Sequence, residues 1–93
     1  MSTVKTNNVQ IGQSLTATNN FTWYQPSTPD GTVRLGNGNS GSVTDRLTIT
    51  SAGYLGIGTS SPNVALNVYS ASDSALAIFD SGSANGSHIR FYN

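Results

Sequence analysis

Apolar residues in this chain fall in pairs two positions apart, and a polar or small residue separates the members of each pair. A period of two places both members on the same face of a β-strand, whereas an amphipathic helix would repeat its apolar residues three or four positions apart. The pattern therefore predicts short strands with one face covered and the other wet. The seven pairs are Val9/Ile11, Val33/Leu35, Leu47/Ile49, Leu55/Ile57, Leu66/Val68, Leu76/Ile78 and Ile89/Phe91.

Turn-forming dipeptides lie between several of these pairs. Asp30-Gly31, Asn37-Gly38 and Asn85-Gly86 favour tight turns, because Asn, Asp and Gly tolerate the positive φ that hairpin turns demand. Residues 60–63 contain Pro62, which removes a backbone donor and is expected to end a strand ladder. Residues 71–77 are interpreted as a loop that enters a strand. The predicted fold class is all-β, with short strands and hairpins in a sandwich-like or intertwined arrangement.

The composition adds a constraint on how such strands can be covered. Ser, Thr, Asn and Gly supply 45 of the 93 residues, and hydrophobic residues are only 35%. So short a chain buries too little surface alone for more than marginal stability. We therefore expect it to share a core with copies of itself. Charged residues are 9% with zero net charge, which argues against nucleic acid as a partner. No run approaches the roughly 20 apolar residues of a membrane span, so none is predicted.

The sequence contains no arrangement that indicates catalysis or a bound cofactor. Residues 36–41 fit the G-x-G-x-x-G pattern, but a β-type run follows them instead of the helix that a dinucleotide site requires. His88 is the single histidine, and the chain has no cysteine. The aspartates lack the spacing of a calcium loop. We accordingly predict no catalytic, cofactor or metal site. The four aspartates are Asp30, Asp45, Asp73 and Asp80.

Residues 51–68 resemble a segment of tailed-bacteriophage tail fibre and tail-spike proteins, approximately S-x-G-x-[LV]-G-I-G-T-x-x-P-x-x-x-L-x-V. Residues 7–14, 19–22 and 29–36 are also similar to the start of fibre-type virion proteins from phages of aquatic bacteria. The matching positions of the first segment are Ser51, Gly53, Leu55, Gly56, Ile57, Gly58, Thr59, Pro62, Leu66 and Val68.

This resemblance implies a virion structural protein, in which three identical chains pack their strands around a common axis. It implies a location in the tail or an external appendage, where the protein links the particle to distal host-recognition parts. We expect residues 1–38 to anchor the protein to a tail, neck or capsid protein, and residues 39–93 to form a fibre shaft. The predicted trimer contacts are Leu55, Ile57, Leu66, Val68, Leu76, Ile78, Ile89 and Phe91.

The Gly-x-Gly alternation beside these aliphatic residues has a separate consequence. On a strand, Gly56 and Gly58 lie on the face opposite to Leu55 and Ile57, and they leave it bare for close backbone approach. The aliphatic face is then available to symmetry mates in a trimer, although a glycine-rich hairpin in a monomeric sandwich explains the spacing too.

Phe21, Trp23 and Tyr24 form the one concentrated aromatic group. On a strand, Phe21 and Trp23 share a face and Tyr24 points the other way. Aromatic residues dominate interface anchors, so these three are the candidates for docking to another virion protein. A local core and a sugar-stacking platform are the alternatives.

Two other functional classes remain open at this point. A receptor- or carbohydrate-binding tip, of a phage or of a bacterial surface adhesin, would need an exposed aromatic platform. In the fibre interpretation, contact with a host surface glycan is indirect. An enzyme such as a polysaccharide depolymerase would need an acid–base constellation, which the sequence does not indicate.

Overall fold

Six β-strands form one sheet in the protein. The structure, a computed structural model, describes residues 3–87 and 89–92. The strands lie side by side in chain order, and the all-β prediction is confirmed. They are β1 (Asn8–Ile11), β2 (Phe21–Tyr24), β3 (Thr32–Asn37), β4 (Thr44–Thr50), β5 (Leu55–Ile57) and β6 (Leu66–Val68), and a short 3-10 turn spans Ala17–Asn19.

The strands pair antiparallel from β1 to β5, and β6 joins β5 in parallel. Residues 58–65 make the connection between these last two strands. β3 and β4 pair on either side of residue 38, so the segments predicted to anchor and to form the shaft share one continuous sheet. Their separate roles stay a prediction.

The period-two pattern locates most of the strands. Five of the seven apolar pairs lie in β1, β3, β4, β5 and β6, while β2 contains Phe21 and Trp23. The strands expected at Leu76/Ile78 and Ile89/Phe91 are wrong for the single chain, because residues 70–87 and 89–92 form no ladder with the sheet. An alternating run needs a hydrogen-bonding neighbour before it becomes a strand.

All three predicted turn dipeptides place their glycine at a positive φ, and of the three only Asn85-Gly86 lies in a turn closed by a backbone hydrogen bond. Gly31, Gly38 and Gly86 have φ values of +80°, +123° and +77°, in the region that L side chains rarely adopt. Asn37-Gly38 lies at the end of β3, and β4 follows the loop without an intervening helix. Residues 36 and 37 thus end β3, and residues 38–43 connect it to a second strand, as the β-type run predicts.

The face of the sheet that is buried is the polar one. Thr22 and Thr48 lie on this face and are almost fully buried. The loops after β3 and β5 fold back over it, so that Val43 lies against Gly36 and Pro62 against Gly56. The interior of the single chain is therefore small and built from threonine, glycine and loop backbone.

Hydrogen bonds of amide side chains hold the loop after β3 in place. Asn20 is 1% exposed; its Nδ2 donates to Asn39 Oδ1 at 2.7 Å, and its Oδ1 accepts from the Ser14 backbone N–H at 2.9 Å. The backbone N–H of Ser40 donates to Gln10 Oε1 at 2.9 Å. These contacts connect the loop to the segment before β2 and to β1.

The close approach expected at the glycine face is confirmed at Gly56. A Cβ at this position would lie 2.5 Å from the carbonyl oxygen of Thr59 and 3.2 Å from Pro62 Cγ. Gly56 is also the central residue of β5, between Thr48 of β4 and Asn67 of β6. Any side chain here would push the connection between β5 and β6 away from the sheet.

We expect Gly56→Ala to lower the free energy of unfolding by about 1–3 kcal/mol, the usual cost of overpacking. Gly82→Ala is the matched control, because Gly82 has no atom within 4 Å of its added Cβ and no positive φ. Denaturant unfolding followed by circular dichroism measures both variants at one protein concentration. Equal stability of the two variants would contradict the close approach.

Candidate functional site

The second face of the sheet is apolar across all six strands. Residues directly opposite in paired strands share a face, and the register connects Val9 to Trp23, Trp23 to Leu35 and Leu35 to Leu47. The series continues through Ile57 to Val68. We call these twelve residues the apolar face: Val9, Ile11, Phe21, Trp23, Val33, Leu35, Leu47, Ile49, Leu55, Ile57, Leu66 and Val68.

The part of the chain that the structure describes leaves the apolar face uncovered. Among the described residues, no large apolar side chain is buried. Ile57 is 42% exposed and Leu66 is 57% exposed, although both lie within strands. Monomeric soluble proteins rarely leave a continuous apolar surface of this kind open, and such a surface is typical of an interaction site.

Four of the predicted trimer contacts come together on the apolar face. Leu55 lies opposite Leu66, and Ile57 lies opposite Val68, in the parallel pair of β5 and β6. The other four lie outside the sheet, in the segment after β6, and all of them are exposed. These four are Leu76, Ile78, Ile89 and Phe91.

The aromatic group divides between the two faces, as strand alternation predicts. Phe21 and Trp23 belong to the apolar face, where they lie opposite Ile11 and Val9. Tyr24 lies on the polar face, where its hydroxyl bonds to Asp45. A partner that covers one face of the sheet therefore meets two of the three aromatic side chains.

Six residues of the apolar face were not among the predicted contacts. They come from β1, β3 and β4, and the same alternation that predicts their strands also places them on this face. The missing information was the order and register of the strands, which joins the separate pairs into one surface. These residues are Val9, Ile11, Val33, Leu35, Leu47 and Ile49.

A charged network lies on the polar face, and the sequence did not indicate it. Asp45 accepts from the Tyr24 hydroxyl and from Arg34 Nη1 at 3.0 Å. Arg34 Nη2 also pairs with Asp30 at 2.8 Å, and Arg34 Nε donates to Thr32 Oγ1 at 3.1 Å. The guanidinium thus joins two carboxylates that are distant in sequence.

A β-bulge brings Asp45 into this network. The register between β3 and β4 shifts at Leu35/Gly36, so that Leu35 lies opposite Leu47 while Gly36 lies opposite Asp45. Strict alternation from Leu47 would have placed Asp45 on the apolar face. Arg46 is the extra residue of the bulge, and its insertion turns the Asp45 carboxylate to the polar face, as bulges commonly re-aim side chains.

The network shifts the pKa values of its members in directions that stabilise it. Burial, together with the hydrogen bond to Asp45, raises the pKa of Tyr24. The hydrogen bond from the Thr32 hydroxyl lowers the pKa of Asp30 most, and the bond from the Thr32 backbone N–H lowers it further. Burial acts to lower the pKa of Arg34, but Asp45 and Asp30 outweigh it and raise the value. Tyr24 therefore stays protonated and Arg34 stays charged.

An open cavity of about 360 Å³ lies beside Tyr24 and falls in the size range of small-molecule sites. Its lining is uncharged. The amide side chains there supply both donors and acceptors, and the Tyr24 hydroxyl is already engaged by Asp45. The lining residues are Asn7, Asn8, Tyr24, Gln25, Pro26, Ser27, Gly41 and Val43.

The part of the chain that the structure describes, residues 3–87 and 89–92, contains no cluster of three or more His, Cys, Asp or Glu residues that could hold a metal ion. It also contains no helix of the length and apolar character needed to cross a membrane. His88 lies outside the described residues.

No protein-family model matches the chain, and no curated protein matches it significantly.

We expect Tyr24→Phe to lower the free energy of unfolding at pH 7 by about 1 kcal/mol, the usual net value of one hydrogen bond. Because the folded-state pKa of Tyr24 is raised, the unfolded state loses this proton first. The contribution of Tyr24 is therefore complete below its ordinary pKa of 10.0 and is lost as the pH rises through the folded-state value. The variant should show a smaller alkaline loss of stability than the parent protein.

Tyr69→Phe is the control for this comparison, because the Tyr69 ring is 56% exposed and lies outside the network. Denaturant unfolding at a series of pH values between neutral and strongly alkaline measures all three proteins. If the free energy of unfolding fell equally with rising pH in the parent protein and in Tyr24→Phe, the titration of Tyr24 would not contribute to the alkaline loss of stability.

Proposed function

We propose that the protein is a structural subunit of a trimeric phage tail fibre or fibre-like virion appendage, and that it assembles with other copies and with its anchoring protein through the apolar face. The observation that carries the proposal is the continuity of this face over six strands without any cover from the described residues of the same chain. Its role is mechanical: the chains assemble, hold their register and connect the particle to distal host-recognition parts.

The exposed area of the single chain supports two contacts per chain. The accessible surface is 7364 Å², against about 5,100 Å² for a compact monomer of this mass. The excess of about 2,200 Å² exceeds the roughly 800 Å² that one partner contributes to a standard interface. A cyclic trimer gives every chain two neighbours and so uses more of this excess than a dimer does.

The radius of gyration agrees with a chain that is incomplete alone. It is 16.6 Å, whereas a compact domain of 93 residues has about 12 Å. The resemblance of residues 51–68 to fibre and tail-spike segments supports the choice of a trimeric virion protein. This segment forms β5 and β6, the strands that contain four of the proposed trimer contacts.

The two halves of the apolar face fit two roles in the proposal. β4, β5 and β6 form the half that packs against the other copies in the shaft. β1 to β3 form the half that anchors the protein to a tail, neck or capsid protein, through Phe21 and Trp23. The proposal assigns no catalytic role, no nucleic acid partner and no cofactor.

We expect the parent protein to sediment as a trimer, with three times the chain mass of 9.7 kDa. Ile57→Asp and Leu66→Asp should each abolish the trimer, because a carboxylate would lose its water inside an apolar contact. Both side chains are already exposed in the single chain, so the sheet itself should persist. Sedimentation equilibrium and circular dichroism measure the two effects separately.

Asn67→Asp is the matched control for Leu66→Asp. It places the same carboxylate one residue further along β6, on the polar face opposite Gly56. We expect this variant to remain trimeric. Intact trimers in Ile57→Asp and Leu66→Asp, or a folded monomer of the parent at micromolar concentration, would refute self-association through the apolar face.

The cavity beside Tyr24 favours a second candidate function, which is a receptor- or carbohydrate-binding tip. An uncharged lining with amide groups next to an aromatic ring suits a neutral sugar. The main proposal predicts no saturable binding of host-surface oligosaccharides in calorimetric titration. Saturable binding that is lost in Asn7→Ala and retained in Asn63→Ala would replace the fibre proposal by the tip.

A further inference from the structure

The segment after β6 has a strand pattern without a strand. Residues 71–87 and 89–92 are all exposed, and none of them belongs to a strand ladder. Its two apolar pairs nevertheless have the same spacing as the pairs inside the sheet. Leu76 and Ile78 are 50% and 82% exposed, and Ile89 and Phe91 are 54% and 91% exposed. The segment therefore carries apolar residues in strand spacing that the described part of the chain leaves exposed.

A turn lies between the two pairs and determines how they would face each other. The backbone N–H of Gly86 donates to the Ser83 carbonyl oxygen at 3.2 Å, and Gly86 has a φ of +77°. Extension of two antiparallel strands from this turn places Ile78 opposite Phe91. Because alternate residues share a face, Leu76 and Ile89 then lie on the same side as Ile78 and Phe91.

We propose that residues 75–92 fold into a β-hairpin on assembly, and that its apolar side packs against the apolar face of a neighbouring copy. This inference rests on the proposed self-association and names the element that covers the sheet. An isolated two-stranded hairpin is at best marginally stable in water, which agrees with the absence of a ladder among residues 70–87 and 89–92 of the single chain. Packing on a second surface supplies the apolar burial that an isolated hairpin lacks.

The complementarity of the two surfaces favours a second copy as the occupant. Both consist of aliphatic and aromatic side chains in β-spacing, and both are exposed in the same chain. Zero net charge means that copies approach without long-range repulsion. In the hairpin register, Arg90 lies opposite Phe79 on the other side, while Asp80 lies opposite Ile89 on the apolar side, at its end next to the turn. The contact therefore rests on Leu76, Ile78 and Phe91, and the Asp80 carboxylate stays in water at its border. One chain thus carries a surface and the element that fits it.

Hydrogen exchange of the full chain tests this inference over a concentration series that spans monomer and trimer. Folding coupled to binding orders a segment only when its partner is present. We expect amides of residues 75–92 to exchange at least about tenfold more slowly in the trimer than in the monomer. Amides of β3 and β4 should be protected in both states, because their ladder lies within one chain.

Two variants and two controls assign the protection to the apolar side of the hairpin. Ile78→Ser and Phe91→Ser should remove the protection of residues 75–92 and retain that of β3 and β4. Ala77→Ser and Arg90→Ser alter the other side of the hairpin and should leave the protection unchanged.

The outcomes separate this inference from the proposed function. Trimers in which residues 75–92 exchange as fast as an unfolded peptide would overturn the hairpin and leave the trimer intact. Full protection of the segment in dilute monomer would also overturn it, because the cover would then come from the same chain. A protein that stays monomeric at every concentration would refute both proposals.

Discussion

Burial of apolar side chains is the main term that stabilises folded proteins, and in this chain the strand residues available for it lie on one open face. The single chain is stabilised by the hydrogen bonds between its strands and by the polar packing beneath its loops. If assembly gained only about 1 kcal/mol from each of the twelve side chains, less than the usual value for complete burial, the sum of about 12 kcal/mol would match the whole stability of an ordinary domain. The cost of association reduces this gain, but its size explains why the sheet depends on neighbours.

The abundance of small polar residues has a structural reason on the opposite face. Thr22, Thr48, Gly36 and Gly56 lie where the loops after β3 and β5 cross the sheet. Larger side chains would keep those loops away from the sheet, and a Cβ at position 36 would collide with the backbone of Thr44. The loops therefore close one face at short range and leave the apolar face for other molecules. A composition that looks deficient for a monomer suits a sheet covered by its loops on one side only.

Sequence alternation was sufficient for the strands because it is a local property, and it was insufficient for the network around Arg34 because that network depends on register. Nothing in the sequence near Asp45 shows that a bulge at Leu35/Gly36 moves its carboxylate to the side of Tyr24. The pairs at Leu76/Ile78 and Ile89/Phe91 show the converse limit. They have the same local pattern as Leu55/Ile57, but a strand also needs a hydrogen-bonded neighbour, and residues 70–87 and 89–92 pair with none.

The distribution of charge is consistent with the division between the two faces. Arg34 pairs with both Asp30 and Asp45 on the polar side, and Arg46 Nε donates to Asn37 Oδ1 at 2.8 Å. The twelve residues of the apolar face include no ionisable side chain, but Asn37 lies opposite Phe21 and holds the Arg46 guanidinium beside them. A partner on this face therefore has to leave Arg46 in water or supply it with a further acceptor. The bulge that turns Asp45 away from Leu47 therefore serves both faces: it completes the ion pair with Arg34 and keeps a carboxylate out of the proposed contact between copies.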